Sequence, residues 1–177
     1  MPGTPDPVLG SEVLTHAVAS AVGLVLVADV YASRKRIARD RLLPALVGIV
    51  YAVTTLAVWA ASRAVTDAFP SGVSENPTTV VGVLVFSLLV LTGFVFGTAR
   101  LYARYGLLVP LVGLFGVTEL VWWAFLHVRG ESDALGMFVF FGPLFLILVF
   151  LVAGVEYAIR TLWKRFGRGG DSSRSPT

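Results

Sequence analysis

Five apolar stretches of spanning length, set apart by short polar blocks, constrain this chain more than any other feature. They lie at 13–32, 43–62, 79–98, 106–128 and 136–155. At helical rise, about 20 residues cover the roughly 30 Å hydrocarbon core of a bilayer. The second, third and fifth stretches contain no charged residue; the first holds His16 and Asp29, the fourth Glu119 and His127. Inside a bilayer every backbone N–H and C=O must be satisfied within the protein, so such stretches fold as helices. The expected fold is all-α: a polytopic transmembrane bundle of five spanning helices in one domain over 1–166, then a disordered tail at 167–177 rich in Gly, Ser and Arg. Composition agrees, since 56% hydrophobic and 14% charged residues leave too few charges for a water-soluble domain, which carries about 25%.

Basic residues set the expected orientation. Arg34, Lys35, Arg36, Arg39 and Arg41 follow the first span; Arg100 and Arg104 follow the third; Arg160, Lys164, Arg165, Arg168 and Arg174 follow the fifth. Only an odd number of spans collects these on one side, leaving Arg63 and Arg129 opposite them. By the positive-inside rule the N-terminus is outside and the C-terminus in the cytoplasm. Asp6, Glu12, Asp67, Glu75, Glu131 and Asp133 fall on the outer side. Trp59, Trp122 and Trp123 are expected in an outer aromatic belt, with Tyr31, Tyr102, Tyr105, Tyr157 and Trp163 in an inner one. No Lys or Arg precedes Arg34, so the first span lacks the basic start of a cleaved signal peptide and reads as a retained helix. Twelve Arg against two Lys, with abundant Val, Ala and Gly, suit a GC-rich prokaryote and its plasma membrane.

The chain has no cysteine, which excludes disulfides, thiol catalysis and cysteine-held metals. Its net charge of +3 sits beside apolar spans, where it suits a membrane surface better than nucleic acid. There is no phosphate loop, zinc-protease motif, nucleophile elbow or selectivity-filter string. Nothing here calls for an enzyme, a cofactor, a metal or a soluble small-molecule substrate.

Polar residues inside the spans are the candidates for function. Glu119 stands near the middle of the fourth span, where an acid costs several kcal/mol unless it is neutral, paired or wet. Trp123 and His127 follow at four-residue spacing and share its helical stripe. His16 and Glu12 enter from the same side, so the first and fourth helices would cluster Glu12, His16 and His127 if they touch. Asp29 lies near the inner interface and is expected to pair with another helix, and Glu156 has Arg160 four residues on, the favourable order for an ion pair. Thr54, Thr55, Ser87, Thr92 and Thr118 could relay protons between Asp29 and Glu119. Gly93 and Gly97 form a GxxxG pattern, and Gly113 and Gly116 lie below Glu119; these four are expected to pack helices closely. Pro110 and the Gly142–Pro143 pair suggest kinks.

Three functional readings follow. The first is a non-enzymatic structural, assembly or accessory subunit packing in the lipid bilayer with itself, as a homo-oligomer, or with a larger membrane complex. The second is a small transporter or proton-linked permease using Glu119. The third is a haem- or metal-binding redox subunit using His16 and His127.

Overall fold

A computed structural model describes residues 6–69, 76–128 and 133–168, with side chains through 165. The chain is all-α, as its apolar periodicity implies. Its helices are α1 (Glu12–Ala32), α2 (Arg34–Arg39), α3 (Leu42–Thr66), α4 (Pro77–Tyr105), α5 (Val109–Phe125) and α6 (Ala134–Arg168). Four of them, α1, α3, α4 and α6, are long and apolar enough to cross a membrane; α5 is a shorter apolar helix. Its 17 residues make about 25 Å, the short end of the spanning range.

Local chemistry sets the boundaries. Glu12 opens α1, where an acid complements the helix dipole. Asp40 Oδ1 accepts from Leu42 N at 2.8 Å and opens α3. That helix closes on Asp67 in the left-handed region at φ 52°. Pro77 is the first residue of α4, with Asn76 before it, the position where a missing N–H costs nothing. Gly106 at φ 67° ends α4 as a left-handed cap. Pro110 stands in the first turn of α5, so it starts that helix instead of kinking a longer one.

The helices pack around α4, which touches α2, α3, α5 and α6, while α1 lies chiefly against α5. Much of the outer surface is apolar: Leu24, Val25, Val112, Phe140 and Leu151 are all exposed. This is the surface expected when hydrocarbon replaces water as the solvent.

Several expectations change. The basic segment after α1 is not an open loop. Six of its residues form α2, whose Ile37 is buried, and Arg100 donates to the Ile37 carbonyl at 3.1 Å. Arg34 lies over the Tyr102 ring at 5.1 Å. α6 runs 35 residues, about 52 Å, so the helix continues into the segment read as tail; 169–177 lie outside the described residues, as do Glu75, Arg129 and Glu131. Trp59 and Trp122 are buried core residues, not an outer belt: their indole N–H groups donate to Asp133 Oδ1 at 3.2 Å and to Thr55 Oγ1 at 3.1 Å. A buried indole needs such a partner.

Two of the four marked glycines meet neighbours. A Cβ at Gly97 would overlap Phe150 Cζ, and one at Gly113 would stand 2.8 Å from Val149 Cγ atoms. Gly93 and Gly116 face open space, so the GxxxG pattern packs through one glycine only. Among the described glycines the closest approach to another helix's backbone is elsewhere, at Gly48 against Thr92.

Candidate functional site

The feature that brings most polar residues together is the seam between α1 and α5. Glu12, His16 and Ser20 recur every four residues on α1; Glu119, Trp123 and His127 recur every four residues along and just beyond α5. The two helices run antiparallel, so the stripes meet in reverse order. His127 Nε2 lies 3.0 and 3.1 Å from the two Glu12 carboxylate oxygens. The His16 ring stacks on Trp123 with centroids 5.9 Å apart, and Trp123 in turn lies 4.4 Å from the His127 ring. Ser20 Oγ donates to Glu119 Oε1 at 3.0 Å, and His16 Nδ1 is 3.7 Å from the same oxygen. One turn further on, Gly23 lies against Phe115, and there the seam becomes apolar.

Contact between the first and fourth spans therefore does gather Glu12, His16 and His127. One detail is corrected: His127 is not on the helix. α5 ends at Phe125, and His127–Val128 pairs as a two-residue strand, β2, with β1 (Asp6–Pro7). His127 keeps its place in line because its Nδ1 donates to the Trp123 carbonyl at 2.7 Å. An acceptor therefore faces each ring nitrogen of His127: the Trp123 carbonyl at Nδ1 and the Glu12 carboxylate at Nε2.

The seam is not sealed. The side chains of Glu12 and His16 are each 56% exposed and that of Glu119 is 30% exposed, whereas that of His127 is 5% exposed. Ser20 lies two turns in from Glu12, about 12 Å along the helix. The half-exposed carboxylate of Glu119 thus sits well inside the span, on the outer face of the bundle. The buried Trp123 Nε1–H has no hydrogen-bond partner among the described residues.

Asp29 is separate from this seam. It is exposed on the other edge of α1, in a groove of about 600 Å³ between α1 and α3, and makes no ion pair among the described residues. Of the five hydroxyls expected to link it to Glu119, Thr54 lines the same groove as Asp29, Thr55 is held by Trp122, and those of Ser87, Thr92 and Thr118 are buried without partners among the described residues. Among those residues, too, no three His, Asp or Glu side chains are grouped to hold a metal. For the haem reading, both His127 nitrogens are already engaged and an indole separates the two histidines.

Two polar constructions have no counterpart in the sequence expectations. Arg63, in the last turn of α3, is 2% exposed. Its guanidinium donates to Asp133 Oδ1 from Nε at 3.1 Å, to the Phe125 carbonyl at 2.6 Å and to the His127 carbonyl at 3.3 Å, and lies 5.4 Å from the Trp59 ring centre. It satisfies carbonyls left over at the end of α5. At the opposite end, Glu156 does more than pair with Arg160: its two oxygens accept from Leu108 N at 3.0 Å and Val109 N at 2.9 Å. A carboxylate from α6 thus caps the start of α5. The short α5 is pinned at both ends.

Comparison with known protein families, curated proteins and solved structures returns no match.

Proposed function

We propose that this chain is a non-enzymatic membrane subunit whose α1–α5 face assembles with another membrane-spanning chain, its own copy or a member of a larger complex. The half-exposed Glu119 supports this most directly. A carboxylate about 12 Å into a span is costly against lipid, and Ser20 and His16 cover only part of it. A second helix over the seam would remove the cost. The pinned ends of α5 and the apolar lipid-facing surface suit a packing role. In this reading the basic end faces the cytoplasm of a prokaryotic cell, with the N-terminus outside.

Purification in mild detergent tests it. The chain is expected in a particle larger than one copy, and Glu119→Leu is expected to shift most of it to a single-chain particle with its helical content unchanged. A wild-type chain running alone would overturn the proposal.

A second reading rests on a separate observation: Glu12, His127, His16 and Glu119 place titratable groups in succession from the end of the bundle to Glu119. The Trp123 indole interrupts this succession between the two histidines, so water at the exposed Glu12 and His16 would have to carry the proton past it. If Glu119 carries protons, Glu119→Gln abolishes pH-driven flux in proteoliposomes while assembly persists. Flux equal to wild type removes that role.

A further inference from the structure

A groove of about 860 Å³ opens between α4 and α6 at the end of the bundle where the basic residues gather. Arg41, Arg100 and Arg104 stand on its lining, which includes no acidic residue; Phe96, Gly97 and Phe150 make its apolar part. Arg104 and Gly97 are seven residues apart on one helix, so cationic mouth and apolar floor are separated by about 10 Å along α4. The floor has room because two glycines line it. Gly97 lets the Phe150 ring lie against the backbone of α4, and a Cβ at Gly154 would meet nothing within 4 Å.

Two other grooves lack this combination. The one between α1 and α3 contains Asp29, and one of about 320 Å³ between α5 and α6 is aromatic with neither Lys nor Arg on its wall. The arginines are also available. Arg100 commits one nitrogen to the Ile37 carbonyl, leaving the rest of its five donors. Arg41 and Arg104 have no carboxylate partner among the described residues. Several cations above an apolar channel match a single ligand with an anionic head and a hydrocarbon tail.

We propose that this groove is a binding site for an anionic phospholipid, with the phosphate on Arg41, Arg100 and Arg104 and one acyl chain along Phe96, Gly97 and Phe150. The site is independent of the α1–α5 seam and of the assembly proposed there.

The test is native mass spectrometry of the delipidated full chain offered phosphatidylglycerol, phosphatidylcholine or inorganic phosphate. Phosphatidylglycerol is expected to bind at least tenfold more tightly than phosphatidylcholine. The double variant Arg41→Gln/Arg104→Gln is expected to lose about twenty-five-fold in that affinity, since each arginine at a headgroup contributes about fivefold. Gly154→Phe fills the groove without removing an arginine, and is expected to lose a similar amount. Inorganic phosphate at millimolar concentration is expected not to compete. Equal binding of the two lipids would overturn the proposal. So would full affinity in Gly154→Phe, which would leave only surface charge, or complete competition by phosphate, which would leave a headgroup site without a chain.

Discussion

Asp133→Ala is expected to destabilise the protein by about 3 kcal/mol, a large effect for the loss of one side chain. The reason lies in what remains. Arg63 is 2% exposed, and without Asp133 its charge stays buried against the Phe125 and His127 carbonyls and the Ser62 hydroxyl, none of which carries a compensating charge. Removing one member of a buried pair costs about 3–5 kcal/mol, and the 20% exposure of Asp133 puts this case near the lower bound. Trp59 Nε1 loses its acceptor, and α6 loses the Oδ2 that accepts from Leu135 N at 3.0 Å. The reverse change is milder. After Arg63→Met, Asp133 keeps Trp59, the α6 amides and partial access to water, so a loss of about 1–2 kcal/mol is expected. Unfolding by sodium dodecyl sulfate in mixed micelles measures both. An Asp133→Ala variant within about 0.5 kcal/mol of wild type, or milder than Arg63→Met, would show that the Arg63 network does not hold the end of the bundle.

Gly48→Leu is expected to cost a comparable amount, about 3 kcal/mol, by forcing α3 from α4. A Cβ at Gly48 would stand 2.8 Å from the Thr92 carbonyl oxygen and 3.3 Å from Thr92 Cα. Those are backbone atoms and cannot turn aside. At Gly97 the nominal overlap is worse, but it falls on the far end of the Phe150 side chain. The ring can rotate away, so Gly97→Ala is expected to cost less than Gly48→Ala despite the deeper overlap. Gly93→Ala and Gly116→Ala meet nothing and are expected to gain up to about 1 kcal/mol in helix propensity. The same unfolding assay ranks the four. If Gly48→Leu unfolds like wild type, the α3–α4 interface is looser than its geometry indicates.

Much of this architecture was legible in the chain because lipid imposes a simple rule on backbone polar groups. Apolar runs therefore marked the helices, although their ends moved. α5 begins at Val109 and not Gly106 because Gly106 caps α4 and Pro110 suits a first turn. α3 runs past Ser62 because Arg63, just beyond the second apolar stretch, is folded inward. Its misplacement was itself a signal: an arginine on the side poor in basic residues has a reason to be there. The packing of glycines was not legible, since spacing alone does not say which face meets a neighbour. Gly93 and Gly97 look alike in sequence, and only one has Phe150 opposite. Nor could the partner of Glu119 be read from α5 alone. The clue was on α1, where Glu12, His16 and Ser20 repeat the four-residue spacing of Glu119, Trp123 and His127 in complementary order. The Glu156 cap had no comparable clue, because it joins groups 48 residues apart.

The proposed function turns on a second chain covering the α1–α5 seam. The absence of native cysteine allows one introduced thiol to report on it. Ala17 is exposed and follows His16 on α1, on the lipid side of the seam. Cross-linking of Ala17→Cys with a short bifunctional thiol reagent in native membranes is expected to give a covalent species larger than the single chain. Its yield is expected to fall several-fold when Glu119→Leu is added. A thiol at position 17 that reacts with a monofunctional reagent yet yields only the single chain would contradict an assembled seam.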